Sequence, residues 1–394
     1  MELRTADAAN SATASAPGER VPGGGINQAG EIRSARVESI RALAALGVLC
    51  SHALVDGFRN DPIIFQGWHR FVQAGGFGVF VFFSLSGYLL FRPFVRAGWG
   101  EGRDLSLRQY AINRAVRILP LYYTVYLVYV LVRQHGGTFH VWWRFLLVFP
   151  NYDTQTLRLV DGGMWSIVVE VEFYLLLPLL AWGLAKLCGR SLGRAAALLF
   201  AVGVGTLVLR LVTVTLADAP SRPWQHSLPA TFVFFVPGML LAMLQHGLRD
   251  RAPDQWRGLL ARSDAWIGAA VVLFLVVAYR YNLEALLLVG SFLLLGGAVL
   301  PLRPGLLNRV LDWRPLAVLG TASYSLYLWH GPIVLGLSNH LHFWPLLLVS
   351  LVICIPLALV SFRVIETPFL RLRRRWQDDR ASASDTVVAT AMQA

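Results

Sequence analysis

Long apolar runs separated by short polar or basic connections dominate the chain, at a spacing set by the thickness of a lipid bilayer. A helix needs about 20 apolar residues to cross the hydrocarbon core. By that measure ten stretches qualify, at roughly 37–58, 76–95, 116–133, 165–187, 195–216, 229–247, 264–280, 283–301, 315–338 and 343–365. In lipid each backbone polar group must find its partner within the protein, and runs of this length meet that demand as helices. The pattern therefore predicts an all-α polytopic membrane protein, with no internal repeat of the transporter kind. Residues 1–36, rich in Ala, Gly, Ser and Pro, read as a disordered tail. A membrane domain follows over 37–367, and residues 368–394 read as a basic and then disordered tail. No appended soluble domain is expected.

Composition agrees with a lipid solvent: 56% of the 394 residues are hydrophobic, only 15% are charged, and mean hydropathy is +0.54. A net charge of +12 would suit nucleic acid, but the basic residues sit between apolar runs, where they meet anionic headgroups. With ten spans, 27 of the 35 basic residues fall on the side of the termini, which places both termini in the cytoplasm. The cytoplasmic loop from Arg92 to Arg117 is strongly basic. The external loop from Gln134 to Met164 contains FHVWWRFLLVF, suited to an interfacial helix. Cys50, Cys188 and Cys354 have no metal-ligand spacing, and neither a disulfide framework nor a metal site is expected.

Several polar residues lie where a membrane makes them costly. His52 falls about 22 Å along the first helix from Val37, beyond the midplane, and His suits proton transfer near neutral pH. Asp56 lies one turn on, on the same face, where a carboxylate can orient the ring. The alternative is an interhelical hydrogen bond with no chemistry. Cys50 points away from His52 and forms no nucleophile pair with it. Arg114 and Arg117 share a face at the start of the third span; such a pair suits phosphate, although taken alone so short a motif is more often ordinary positive-inside anchoring. WSIVVEVEFY carries Glu170 and Glu172 on different faces, so only one readily faces the core. A carboxylate beside His52 would stabilise the imidazolium, whereas at a helix entrance it would serve the dipole. His330, within YSLYLWH, either binds an acceptor or packs. Glu366 reads as one half of a topogenic salt bridge beside the basic tail. Ser84 and Ser86 lie among small residues that permit close helix approach, and no nucleophile elbow surrounds them. His135, Gly136 and Gly137 read as a turn.

Five ordered motifs resemble the acyltransferase family 3 of bacterial membrane proteins. They are RALA from Arg41 on through His52, GVFVFFSLSGY at 78–88, RAVRILP at 114–120, Trp165 and Ser166 through Glu170 with Phe173 and Tyr174, and SYSLYLWH at 323–330. Phe80 and Val81 stand where the family often has an acidic residue, and Glu170, not Glu172, matches the family glutamate. The resemblance implies ten helices, an essential His52 and acyl transfer from acyl-CoA, an acetyl donor above all, to a hydroxyl, with no permanently bound cofactor. Taken with the helix faces read above, the expected site has His52 with Glu170 or Asp56 as catalytic residues, Arg114 and Arg117 binding the donor, and a substrate path along Trp165, Ser166, Tyr174, Ser86, Tyr327 and His330. The expected acceptor is a cell-envelope glycan or another glycosylated molecule, a macrolide-type antibiotic being the alternative. The expected location is the bacterial inner membrane. A proton-coupled transporter is the reading from a different class, since intramembrane His and Glu would also serve proton coupling. The charge asymmetry carries its own test: a cysteine placed at position 155 should react with an impermeant reagent from outside the cell only, and labelling only from the cytoplasmic side would overturn the topology.

Overall fold

A computed structural model describes residues 24–59, 61–100, 105–133, 138–153, 156, 163–215, 222–249 and 258–373. The stretch 134–137, including the turn expected at His135, lies outside the described residues, as do most of both tails. The described part is helical, without strands; an isolated parallel bridge joins Arg262 to Arg303. The principal helices are α1 (Gly24–Gly57), α2 (Gly78–Trp99), α3 (Leu107–Arg133), α4 (Phe139–Leu146), α5 (Met164–Cys188) and α6 (Leu192–Thr215). They continue as α7 (Val236–Gly247), α8 (Ser263–Tyr279), α9 (Leu286–Val299), α10 (Arg314–Thr321), α11 (Ser323–Leu337) and α12 (Phe343–Ser361).

Each expected apolar stretch falls on helix, but not each is one uninterrupted crossing. Five helical segments are long and apolar enough to span by themselves: Ala35–Gly57, His69–Trp99, Met164–Cys188, Leu192–Thr213 and Phe343–Arg373. A sixth is made if Leu228–Phe234 and Val236–Gly247, bent by 42°, count together. The bend falls where Pro237, without an N–H, opens α7. α8 and α9 are apolar but shorter, and the stretch expected at 315–338 is divided between α10 and α11.

The first helix also starts earlier than its apolar pattern, at Gly24 rather than near Val37. An ion pair helps to hold this polar extension: Arg36 donates to both Asp312 oxygens at 2.7 and 2.8 Å. At the other end of the chain, helix continues past Glu366 to Arg373, so the first residues of the expected tail belong to the last span.

α1 is the central post, packed against α2, α10, α11 and α12. Along it Val48, Leu49, Ala53 and Leu54 are wholly buried. α2 and α7 approach closely, as the small residues of the second stretch suggest. A Cβ built at Gly238 would lie 1.7 Å from the Ser84 carbonyl oxygen. Ser84 itself donates to the Phe234 carbonyl at 2.7 Å, a structural role. α4 lies against α3: Phe145 stacks on Tyr126 at 4.3 Å, and the Tyr122 and Tyr123 hydroxyls donate to the Phe145 and Leu146 carbonyls. Phe139 remains 83% exposed, as expected of an interfacial helix.

Polar contacts collect at two ends of the bundle. One end holds Arg36 with Asp312, Ser39 with the Leu311 carbonyl, and His246 with the Trp99 carbonyl. The other holds Arg70 with the Tyr279 carbonyl, Arg210 with Glu284, and Asn151 with the His226 carbonyl. Arg210, only 8% exposed, lies over the faces of Phe80 and Phe234. Phe80 stacks on Phe234, and both rings share the one guanidinium.

Gly238→Val should destabilise the fold by about 1–3 kcal/mol or prevent folding, because α7 cannot retreat from the α2 backbone without opening the core. Gly183→Ala, with open space around its Cβ, should be neutral or slightly stabilising. Thermal unfolding in detergent reads both; equal midpoints would contradict this packing.

Candidate functional site

Five elements bring the candidate residues together. α1 supplies Arg41 and His52, α3 supplies Arg114 and Arg117, α5 supplies Ser166, Glu170 and Tyr174, and α11 supplies Tyr324, Tyr327 and His330. Ser86 arrives from α2. A narrow cavity of about 90 Å³ runs among them, lined by Arg41, Ser86, Arg114, Arg117, Glu170 and Tyr327 together with Ser166, Tyr174, Ser323 and Tyr324. Of the expected site residues, Arg114, Arg117, Ser86, Ser166, Glu170, Tyr174 and Tyr327 line this cavity, whereas His52, Asp56, Trp165 and His330 do not.

His52 is linked to the cavity through α11. Its Nδ1 faces the Val48 carbonyl at 3.0 Å and His330 Nε2 at 3.4 Å. A carbonyl only accepts, so the proton sits on His52 Nδ1 and the lone pair on Nε2. His330 repeats the arrangement, with its Nδ1 directed at the Tyr327 carbonyl. Its Nε2 is therefore an acceptor, and the His52 Nδ1–H has two acceptors. The rings stand 5.0 Å apart. From Tyr327 the chain of contacts continues into the cavity: its hydroxyl bonds Ser166 Oγ at 2.7 Å and donates to the Gly163 carbonyl at 2.8 Å. Gly163 has φ +100°, a left-handed conformation, and a Cβ there would meet the Tyr327 hydroxyl at 3.0 Å. This glycine lets α5 start against α11.

The carboxylates fall differently from expectation. Glu170 lines the cavity and accepts from Ser86, so it is the core-facing member of its pair. It makes no hydrogen bond with His52; the ring's nitrogen partners are Val48 and His330, not Glu170 or Asp56. Asp56 is half-buried one turn along α1. Glu172 turns the other way and accepts from the Tyr152 hydroxyl at 3.0 Å. Trp165 stands edge-on to His226, with ring centroids 4.6 Å apart, and its carbonyl accepts from Asn151.

The arginine pair is also unequal. Arg117 is joined to Glu366 at 2.9 Å, and Glu366, 2% exposed, accepts from Ser325 at 2.6 Å. A π-helical turn over Phe362–Glu366 delivers this carboxylate inward, so its partner is a cavity arginine and not the basic tail. Arg114 Nε is buried with no hydrogen-bond partner among the described residues, and so is Ser323 Oγ. The cavity thus has an unspent donor on Arg114 and an unspent hydroxyl opposite.

Arg41, Ser323 and Tyr324 were not among the expected site residues. A signal for Arg41 exists in the sequence: it precedes His52 by 11 residues, about three helical turns, so both lie on one face roughly 16 Å apart. Ser323 and Tyr324 open the SYSLYLWH motif, but only the packing of α11 on α3 brings the Tyr324 hydroxyl to the Ile118 carbonyl at 2.9 Å.

The family model described as "Acyltransferase domain" matches residues 34–363. The chain belongs to this family. Among curated proteins it is similar to the putative peptidoglycan O-acetyltransferase YrhL of Bacillus subtilis, at 27% identity over 364 residues covering 84% of this chain and 54% of that protein. The peptidoglycan O-acetyltransferase OatA of Listeria monocytogenes is 26% identical over 367 residues, 84% and 55% of the two chains. The O-acetyltransferase OatA of Staphylococcus aureus is 23% identical over 364 residues, 84% and 56%. The chain spans about half the length of these relatives. No solved structure matches it.

Of the two arginines, Arg117 depends on Glu366. Glu366→Ala should cost about 2–3 kcal/mol, below the range for a fully enclosed ion pair because Arg117 keeps 21% exposure. Arg117→Met with Glu366→Leu should recover much of that loss. Chemical denaturation of the variants checks this, and an unaltered midpoint for Glu366→Ala would show that the pair does not hold α3 to the last helix.

Proposed function

We propose that this chain is a multi-pass O-acyltransferase of the bacterial cytoplasmic membrane, with ten spans and both termini in the cytoplasm. It moves an acetyl or other short acyl group from acyl-CoA to a hydroxyl of a cell-envelope glycan. The observation that carries the reading is the run of hydrogen-bonded groups from Ser166 through Tyr327 and His330 to His52, which opens on the cavity that Arg114 and Arg41 line. The relatives named for peptidoglycan O-acetylation support a glycan acceptor, and the arginine asymmetry supports the sidedness.

In this mechanism the donor enters at the arginine end, with phosphate against the unspent Arg114 donor and the Arg41 charge. Arg117, held by Glu366, contributes charge and positions the helix end. The pantetheine arm extends along the cavity toward Ser166 and Tyr327. The acceptor approaches His52 from the opposite side. The hydroxyl oxygen attacks the thioester carbonyl as His52 Nε2 takes its proton; the carbon–sulfur bond then breaks, and the CoA thiolate leaves and takes up the proton. The two acceptors on Nδ1–H stabilise the imidazolium in between, the part a carboxylate plays in serine hydrolases. Glu170 orients Ser86 and the wall of the cavity. Its charge bears on the imidazolium at longer range.

His52→Ala should fold and bind acyl-CoA yet lose roughly 10²–10⁴-fold in turnover, the usual contribution of a general base. Arg114→Ala should weaken CoA binding by about 1.5–3 kcal/mol, and Arg114→Lys should not fully restore it, since lysine lacks the planar fork. Ser86→Ala should keep part of its activity, and Glu170→Gln should be intermediate. Purified protein in nanodiscs with radiolabelled acetyl-CoA and a glycan acceptor reads these effects. A fully active His52→Ala enzyme, or an acyl-serine trapped at position 86, would refute the mechanism.

A further inference from the structure

At the same end of the bundle as Arg36 and Asp312, but apart from the donor cavity, a second and larger pocket of about 740 Å³ opens. Arg36, Arg262, Arg303 and Arg309 line it, with Asp264, Asp312 and Asn308. The two aspartates are already engaged. Asp312 holds Arg36, and the Asp264 oxygens accept from the amides of Leu306 and Leu307 at 2.7 and 2.9 Å. That leaves the guanidinium groups of Arg262, Arg303 and Arg309 without a carboxylate partner among the described residues.

Exposed arginines alone are what topology requires of this end, and they would mark no site. Asn308 is different. It is 1% exposed, and neither its amide nitrogen nor its oxygen has a hydrogen-bond partner among the described residues. An amide buried in that state costs free energy, about 1–3 kcal/mol for each unmet group, and topogenesis gives no reason to keep it. The frame around it is rigid: Ser263 N–H donates to the Arg303 carbonyl and Arg303 N–H to the Ala261 carbonyl. This backbone bridge brings Arg262 and Arg303 out of one point.

We propose that this pocket is a binding site for a phosphate ester that carries a neighbouring hydroxyl. The arginines take the phosphate, in keeping with their fork geometry. The Asn308 amide nitrogen donates to a phosphate oxygen, while Oδ1 accepts from the hydroxyl. Two sources present this chemistry at a membrane surface: the headgroup of phosphatidylglycerol, and a soluble ribose phosphate such as that of CoA. The site does not depend on the acyl-transfer reading.

The test uses the full chain in phosphatidylcholine nanodiscs, with and without phosphatidylglycerol. Native mass spectrometry counts retained phosphatidylglycerol, and calorimetry compares CoA with dephospho-CoA. Retention that falls at least tenfold in Arg303→Gln plus Arg309→Gln protein assigns the lipid headgroup. CoA affinity that falls tenfold in the same protein, to the level of dephospho-CoA, assigns the soluble ester. Either result supports the site. Asn308→Asp, nearly isosteric, sets a carboxylate against the phosphate and should weaken the same binding tenfold, so the inference stays testable if the double variant purifies poorly. Arg190→Gln, which removes an exposed charge between α5 and α6, should change neither reading. Unchanged lipid retention and CoA affinity in both site variants, or an equal loss in Arg190→Gln, would overturn the proposal.

Discussion

A polar group at membrane depth has no water to fall back on and must find its partner inside the bundle. That constraint organises this molecule. Glu366 is admitted to the interior because Arg117 and Ser325 meet it, and Arg210 because Glu284 and two aromatic faces do. Each pairing joins elements far apart in sequence, so satisfying the charge also fixes which helices are neighbours. α1 can then stand at the centre, with its arginine at one level and its histidine about three turns away.

The same constraint separates structural polar groups from chemical ones. Ser84 and Arg36 have partners within the bundle, in the Phe234 carbonyl and the Asp312 carboxylate. Arg114 Nε and Ser323 Oγ do not, and both border the cavity. His52 is intermediate: Nδ1 is held by Val48 and His330, which leaves Nε2 as the basic nitrogen. An imidazole fixed at one nitrogen and basic at the other is the form that general-base catalysis uses. His330, an open choice between packing and acceptor binding in the sequence, stands behind His52 as a second acceptor for its proton.

Much of this was legible in the chain. Every apolar run of bilayer length falls on helix, because lipid leaves helix as the available solution, although several runs are broken into shorter pieces. Intramembrane cost singles out His52 and the pair Glu170 and Glu172, and the ordered motifs lead to the family and choose Glu170. Register along one helix was equally readable: Glu170 and Glu172 had to face apart, and they do. Boundaries were less so, since Arg36 extends α1 through a contact with Asp312, 276 residues away.

What the sequence determined by itself was periodicity, length and the presence of costly side chains, all properties of a helix alone in lipid. Tertiary structure decided the pairings: Arg117 with Glu366, His52 with His330, Ser86 with Glu170, Asn308 among arginines from three segments. The reason is physical. A helix specifies which residues share its own face, but the partner of a buried charge depends on which other helix packs there. That choice follows from the summed packing of small residues such as Gly238 and from where a π turn or a proline bends the chain.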